Sequence, residues 1–195
     1  ALSDRFEIKA VCEEIALRAE QVAREFNASA VDGYQALAAR EDIDAILMLS
    51  PQWYGPLPIL AACDAGKAIY CGAALEIDLE TAQRIKQRVE QSGIAFMAEF
   101  PRRHAPATLR LKELTATVLG RPRLLFCHHR LLVEPVARAG PGGRITRPAT
   151  RHLLELIDWC RYVVGQEPTS VVGVKHMGEE ESGPDDYQMM SLDFS

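Results

Sequence analysis

Short apolar stretches alternate with helical apolar repeats through the first hundred residues, and this alternation is the clearest structural pattern in the chain. The apolar stretches predict strands at Phe6–Cys12, Ala28–Val31, Ala45–Leu49, Ala68–Cys71 and Ile94–Phe100. Between them, apolar side chains recur three or four positions apart, as on one face of a helix. A regular β-α-β-α-β order of this kind predicts a parallel, doubly wound sheet.

The segment from Asp44 to Leu75 organises this first half. It predicts two strands joined by a helix that has two prolines in its first turn and ends at Gly66. The continuous apolar run Ala45–Leu49 is typical of a strand buried on both faces. Ligands bind beyond the carboxyl ends of parallel strands. The loops Ser50–Gly55 and Gly72–Leu75 are therefore the first candidates for a functional site.

The pattern changes at Pro101, and the second half predicts an α+β unit with an open sheet. Apolar spacing predicts a helix that ends at Gly120 and another from Thr150 to Val164. The Pro- and Gly-rich residues 134–149 predict a mobile surface loop. The remaining segments predict three strands, at Arg123–Val133, Thr169–Met177 and Tyr187–Phe194, and an acidic loop at Glu179–Asp186.

Composition narrows the classes of function. The chain has 195 residues, 48% of them hydrophobic and 25% charged, with a net charge of −5 and no basic block. A nucleic-acid-binding protein is therefore not expected. No apolar run approaches the roughly 18 residues that a membrane span needs, and the opening residues show no signal-peptide pattern.

The five cysteines are Cys12, Cys63, Cys71, Cys127 and Cys160. Each lies in an apolar segment and none belongs to a CxxC pair, which favours reduced cysteines of a cytoplasmic protein. Only Cys127-His128-His129 groups possible metal ligands. Adjacent residues of a strand point to opposite faces, so no metal site is expected there.

Several ordered motifs resemble those of the Gfo/Idh/MocA family of NAD(P)-dependent oxidoreductases across nearly the whole chain. Ser50-Pro51 follows the third predicted strand, at the position of the family's Thr-Pro or Ser-Pro dipeptide. Ala65-Gly66-Lys67, the next strand and Cys71 are similar to the AGKHVxCEKP block. Met97–Pro106 is similar to GFNRRFxP, and Gly165–Pro168 after a helix is similar to a G-x-P element of the family's second domain.

The resemblance implies a Rossmann-like dinucleotide-binding domain at residues 1–101 and an α+β substrate and dimerisation domain at residues 102–195. It implies NAD or NADP as cofactor, a sugar, cyclitol or related polyol as substrate, and a homo-oligomer. The family's first strand and Gly-rich phosphate loop would precede the first predicted strand, and no GxGxxG occurs in this sequence. The natural protein is therefore expected to extend further at both ends, and the sheet here to lack its central strand.

The resemblance also assigns cofactor-binding residues. Glu13 matches the acidic position that accepts hydrogen bonds from the adenosine ribose, and a carboxylate there repels a 2′-phosphate, which favours NAD. Ser50 and Pro51 would shape the loop near the nicotinamide ribose, with Gln52 and Trp53 beside the ring. The alternatives are an ordinary exposed glutamate at Glu13 and a packing role between domains for Trp53.

The positions that match the catalytic motifs depart from the family pattern. The EKP block, which places a lysine beside the reacting carbon, reads Gly72-Ala73-Ala74 here. Gly72 is kept as a cofactor-binding candidate, whereas Ala73 has neither a charge nor a proton donor. Arg102 matches one of the family's paired arginines, which suggests contact with a cofactor phosphate or an acidic substrate. Ordinary salt bridging is the alternative.

The helix that carries the family's catalytic Asp and His has Arg151 and Glu155 at those positions when aligned back from Gly165. His152 lies one residue from the first of them. Glu155 and His152 are therefore the catalytic candidates, although an exposed surface glutamate is the simpler interpretation of Glu155.

Two functions from different classes remain open. The first is an NAD(P)-dependent oxidoreductase of polyols with an atypical acid–base group. The second is a non-catalytic member that binds dinucleotide or serves as a scaffold, having lost the lysine and histidine. Turnover with a polyol would distinguish them.

Overall fold

The computed structural model describes residues 5–49, 51–72, 75, 77–127, 148–176 and 187–194. The chain forms two compact units, Ala1–Glu99 and Phe100–Ser195.

In the first unit, strands and helices alternate as the apolar pattern predicts. The elements are β1 (Ala10–Val11), α1 (Ala16–Glu25), β2 (Ser29–Ala30), α2 (Tyr34–Ala38), β3 (Ala45–Met48), α3 (Pro51–Tyr54), α4 (Leu57–Ala65), β4 (Ala68–Cys71), α5 (Leu79–Ser92) and β5 (Phe96–Ala98). β1 pairs with β2, and β4 pairs with both β3 and β5, every pair being parallel. The expectation of a parallel α/β sheet is confirmed.

The strands of this unit form two separate hydrogen-bonded sets, β1–β2 and β3–β4–β5. In the described residues no ladder joins β1 to β3. This division is the arrangement expected when the central strand of a 3-2-1-4-5-6 order is missing between them. The edges of β1 and β3 therefore mark the middle of the Rossmann-like pattern.

One face of β3–β4–β5 packs against α4 and α5 to make the core. Ile59 and Ala62 of α4 and Cys71 of β4 are fully buried, and Ile69 and Ile85 are nearly so. Small side chains on α4 let the helix approach the strands closely, which high packing density requires. The helix ends at Gly66 and α5 ends at Gly93, both in the left-handed conformation that glycine adopts without strain.

Two predictions about these strands were wrong. β1 covers only two residues of the predicted Phe6–Cys12, and Phe6 is 70% exposed, so its segment has no packed face to order it as a strand. β3 is buried on one face only, because Leu47 and Leu49 are 61% and 66% exposed. The predicted loop after β3 also contains the helical turn α3.

The second unit contains helices and an antiparallel pair of strands. Its elements are α6 (Pro101–His104), α7 (Pro106–Leu114), a π-helical turn (Thr115–Leu119), α8 (Pro148–Val164), β6 (Ser170–His176) and β7 (Tyr187–Asp193). The two strands pair from Ser170 with Asp193 to His176 with Tyr187. The prediction of a helix ending at Gly120 agrees with α7 and its π-helical continuation.

Other predictions for this unit need correction. Residues 123–127 do not form the predicted strand, and Leu124 and Phe126 are both 87% exposed, so alternating apolar residues there have no sheet face to cover. α8 begins at Pro148, where proline is well tolerated in a first turn, so 148 and 149 belong to the helix and not to the predicted loop. The rest of that loop and the acidic loop lie outside the described residues.

A buried ion pair joins α6 to α8. Asp158 is only 3% exposed, and Arg103 donates to both of its carboxylate oxygens, with Nε 2.7 Å from Oδ2. Arg103 also lies over the rings of Phe100 and Tyr162. A second contact joins α7 to α8, because Trp159 Nε1 donates to Thr108 Oγ1 at 2.9 Å. Two short helices, α6 and α7, are thus fixed to the long helix α8 by polar contacts.

Within the described segments, no helix has the length and apolar composition needed to cross a bilayer.

We expect Asp158→Ala to destabilise the second unit by about 2–3 kcal/mol, because it leaves the Arg103 guanidinium without its carboxylate. The loss is smaller than for a fully buried cation, since about a third of Arg103 still reaches water. Urea unfolding followed by Trp159 fluorescence in a Trp53→Phe background measures it.

The matched control is Glu113→Ala, which removes an exposed ion pair with Arg110 in the same unit. Exposed pairs contribute roughly 0–1 kcal/mol. Equal effects of the two substitutions would contradict the importance of the buried pair.

Candidate functional site

Acidic groups gather at the carboxyl ends of β1 and β2. Glu13 follows β1 and is exposed, and Asp32 follows β2 at the same edge. The backbone pairing continues past the strands, with Val31 N donating to Val11 O at 2.9 Å. Cys12 lies between the two carboxylates and receives a hydrogen bond from the backbone of Gly33. This edge therefore carries two negative charges in fixed positions.

The thiol of Cys12 responds to that charge. Burial raises its pKa first, and Asp32 and Glu13 raise it further, while the Gly33 N–H acts in the opposite direction. The raised pKa favours the neutral thiol over the thiolate.

Three aromatic rings lie beside the same edge, and we call Tyr34, Trp53 and Tyr54 the aromatic cluster. Trp53 and Tyr54 stack with centroids 4.0 Å apart, and Tyr54 meets Tyr34 edge-on at 4.7 Å. Burial and then the proximity of Cys12 raise the pKa of Tyr54, which places its hydroxyl near the end of β1. The cluster connects the end of β1 with the loop after β3.

Glycine is required where the cluster meets β2. Gly33 has a φ of +89°, a conformation that other residues adopt only with strain. A Cβ there would lie 3.9 Å from Tyr54 Oη. The turn from β2 into α2 therefore sets the position of Tyr34 against Tyr54.

The other cofactor candidates of the first unit are distributed along the same edges. Pro51, Gln52 and Trp53 belong to α3, and Ser50 lies outside the described residues. Gly72 follows β4, and its N–H donates to Met48 O at 2.8 Å. The structure thus brings Glu13 and Trp53 to one region and places Gly72 at the end of the neighbouring strand set.

In the second unit, Arg102, His152 and Glu155 form a charged cluster. Glu155 Oε2 lies 3.5 Å from Arg102 Nε and 3.8 Å from His152 Nδ1. The interpretation of Glu155 as an exposed surface glutamate was wrong, since the residue is only 8% exposed. Its burial is possible because two basic groups face it. About a third of the His152 side chain remains accessible.

Sequence reasoning missed Asp32 and the contact between Tyr34 and Tyr54. The Asp-Gly turn before Tyr34 was visible in the sequence, but its proximity to residue 54 depends on the packing of α2 against α4. It also missed the burial of Asp158, whose arginine partner lies 55 positions away.

Two cysteines of the second unit approach each other. Cys127 Sγ and Cys160 Sγ are 3.7 Å apart, and all five cysteines are free. His128 and His129, the possible metal ligands next to Cys127, lie outside the described residues. Among residues that the structure describes, no group of three or more His, Cys, Asp or Glu side chains is placed to hold a metal ion.

Comparison with known proteins agrees with this geometry. Residues 1–100 match the model of the Gfo/Idh/MocA oxidoreductase family, described as an NAD-binding Rossmann fold. The chain belongs to this family. It is 31% identical over 162 residues to the NAD⁺-dependent scyllo-inositol 2-dehydrogenase of Bacillus subtilis, covering 80% of this chain and 46% of that protein.

Two further relatives extend the comparison. Inositol 2-dehydrogenase 4 of Saccharopolyspora erythraea is 30% identical over 158 residues, which cover 78% of this chain and 45% of that protein. A crystal structure of an oxidoreductase from Thermotoga maritima superposes with a TM-score of 0.74 at 22% identity, covering 99% of this chain and 62% of that one. The latter shows the shared fold. The chain spans about half the length of the curated relatives it matches.

The cysteine pair gives a prediction about pH. Burial, and then the neighbouring Cys127, raise the pKa of Cys160 from about 9 to about 12. The folded state therefore keeps a proton that the unfolded chain has released between about pH 9 and pH 12, so this thiol lowers stability as pH rises through that window.

Because only the thiolate is nucleophilic, we expect iodoacetamide to modify Cys160 slowly until the pH approaches 12. Mass spectrometry of the alkylated peptide measures the rate, and Cys127→Ser should move its onset to lower pH. Modification of native Cys160 at pH 8 as fast as in urea would contradict the raised pKa.

Proposed function

We propose that this protein is an NAD-dependent oxidoreductase that acts on a sugar, cyclitol or related polyol. The observation that carries the proposal is the position of Glu13, exposed at the carboxyl end of β1 and next to the division between the two strand sets. In doubly wound sheets this is where a dinucleotide binds and where an acidic side chain accepts hydrogen bonds from the ribose.

The charge of this edge supports NAD over NADP. Glu13 and Asp32 both carry carboxylates at the ends of adjacent strands. A carboxylate accepts the two ribose hydroxyls well and repels a phosphate in the same place. The residues present therefore fit the adenosine half of NAD.

The aromatic cluster supports the same assignment. Its Tyr54 ring lies near Cys12 and Asp32 at the ends of β1 and β2, and bases and nicotinamide rings stack on aromatic surfaces of this kind. Trp53 belongs to this cluster, and Ser50, Pro51 and Gln52, which precede it in the sequence, stay cofactor-binding predictions.

The named relatives support the substrate class. Both curated relatives described above are inositol dehydrogenases, and inositols are cyclic polyols. A small polyol is therefore the substrate that we propose. A cytoplasmic location and a homo-oligomeric state stay predictions from the sequence.

We assign the acid–base role to His152, with Glu155 as its positioning residue. His152 is partly accessible, and its imidazole is the group of the cluster that can take a proton from a substrate hydroxyl. Glu155 is buried beside it, with Oε2 3.8 Å from Nδ1, so that the carboxylate orients the imidazole. Arg102 balances the charge of the buried carboxylate. The bound nicotinamide supplies the hydride acceptor.

We expect Glu13→Gln to weaken NADH binding by about 1–3 kcal/mol, because the amide replaces a charged acceptor of ribose hydrogen bonds. The preference for NADH over NADPH should narrow as well, since the charge that repels the 2′-phosphate is removed. Energy transfer from tryptophan to NADH in the purified natural protein measures both affinities. Trp53→Phe should abolish most of this transfer.

Glu14→Gln is the matched control, because Glu14 is an exposed glutamate that follows Glu13 directly. It should leave NADH affinity within a factor of two. Equal affinities of the wild type and Glu13→Gln would remove Glu13 from the site. No saturable transfer in the wild type would refute the dinucleotide pocket itself.

We expect His152→Gln to lower kcat for polyol-dependent NAD reduction by roughly 10²–10⁴-fold while NADH affinity stays unchanged. Glu155→Gln should lower kcat less, because it alters the position of the imidazole without removing it, and it should change the pH profile, because it removes a carboxylate 3.8 Å from Nδ1. Steady-state rates with scyllo- and myo-inositol, measured from pH 5 to pH 10, test both variants.

His104→Gln, which changes an exposed histidine of α6, serves as the control and should keep wild-type rates. Full activity of His152→Gln would overturn the acid–base assignment. NADH binding without turnover on any polyol would favour the non-catalytic alternative. That alternative was raised because Ala73 stands at the position of the family's lysine.

A further inference from the structure

Glu99 lies at the carboxyl end of β5, beside the end of β4. Its backbone N–H donates to Cys71 O at 2.7 Å, so the strand pairing continues one residue past β5. Tyr70 pairs with Met97, and side chains alternate along a strand. Tyr70, Gly72 and Glu99 therefore share the face of the sheet opposite the buried Cys71. The backbone fixes this carboxylate at the ligand-binding edge.

Its carboxylate lies close to the space that a side chain at position 72 would enter. A Cβ placed on Gly72 would lie 3.7 Å from Glu99 Oε2. The same Cβ would lie 3.1 Å from Leu49 Cδ2, and Leu49 is largely exposed and able to move. The missing side chain of Gly72 thus leaves the edge open in front of Glu99.

Tyr70 lies on the same face of the sheet as Glu99, on the adjacent strand β4. Burial raises the pKa of Tyr70, and so does its hydrogen bond to Glu99, in which the hydroxyl donates and the carboxylate accepts. A carboxylate has about four lone-pair positions on two oxygens. One hydrogen bond from Tyr70 therefore leaves most of them available to another donor.

This chain differs from the family motifs at both Gly72 and Glu99. In the CEKP block the glutamate position is Gly72, and in GFNRRFxP, aligned on Arg102 and Arg103, the first glycine position is Glu99. A carboxylate absent from the end of β4 is thus present at the end of β5, next to the same space.

We propose that Glu99 binds the hydroxyls of the nicotinamide ribose at the carboxyl edge of β3–β4–β5. This inference rests on the proposed dinucleotide function. A doubly wound sheet has two mononucleotide-binding halves, and β3–β4–β5 is the half that does not carry Glu13. A carboxylate is the natural acceptor for two neighbouring hydroxyl donors.

The test compares NADH with ADP, which lacks the second ribose and the nicotinamide. Dissociation constants are measured for the wild type and Glu99→Gln, NADH by energy transfer and ADP by displacement of NADH. We expect Glu99→Gln to weaken NADH binding by about ten- to a hundredfold and to leave ADP binding unchanged. Tyr70→Phe should weaken NADH binding several-fold by freeing the carboxylate.

A reciprocal exchange sharpens the test. Glu99→Gly alone should behave like Glu99→Gln, whereas Gly72→Glu combined with Glu99→Gly should recover most of the NADH affinity. Gly72 does not have a positive φ, so a glutamate fits its backbone. Glu90→Gln, which changes an exposed glutamate of α5, is the control and should bind both ligands normally. Circular dichroism confirms that each variant is folded.

The outcomes are distinct. NADH affinity unchanged in Glu99→Gln overturns the subsite and leaves the proposed function standing. Equal losses for NADH and ADP also overturn it, because the effect is then not confined to the nicotinamide half. A wild-type protein that binds neither ligand refutes the proposed function on which the subsite depends.

Discussion

The burial of one face of β3–β4–β5 under α4 and α5 is the constraint on which the candidate site depends. Side chains alternate along each strand, so the burial of Ile69 and Cys71 fixes Tyr70 and Gly72 on the other face. A slip of one residue would put Tyr70 into the core. The buried face therefore fixes the register of these strands, and the register places the polar groups of β3–β4–β5 at their carboxyl edge.

A different constraint organises the second unit, where buried charge replaces apolar packing. Glu155 and Asp158 lie one turn apart on α8, and each faces one of two adjacent arginines of α6. Neither carboxylate tolerates burial without its cation. The two ion pairs differ in geometry, because Arg103 binds Asp158 through two nitrogens whereas Arg102 Nε lies 3.5 Å from Glu155 Oε2. The tight pair fixes the helices, and the looser one leaves a carboxylate beside His152.

Helix ends and the order of helices and strands could be predicted from the sequence, because they depend on residues close together in the chain. Gly66 ends α4, as the sequence predicts, and Asp78 caps α5 by accepting from Thr81 N at 2.8 Å. The helix α4 and the strands on either side of it follow from apolar spacing alone. Each of these features depends only on the residues of one short segment, and a single sequence shows those residues directly.

The wrong predictions concern features that depend on contacts between residues far apart in the sequence. The exposure of Phe126 removes the predicted strand because no sheet face receives it, and the burial of Glu155 depends on Arg102, more than fifty positions earlier. The interaction between Tyr70 and Glu99 joins β4 to the residue that follows the adjacent strand β5. Apolar alternation and an isolated glutamate carry no signal for such contacts, which arise only when the sheet and helices pack.

The charges at the edge of the first unit explain what kind of ligand it fits. Glu13 and Asp32 lie at the end of one strand set, and Glu99 lies at the end of the other. Three carboxylates repel phosphates and attract hydroxyl donors. A dinucleotide has a ribose at each end of its pyrophosphate, so carboxylates at both strand sets match its two diols. In the function that we propose, the same charges disfavour a phosphate attached to either ribose, and this is the basis for expecting NAD rather than NADP.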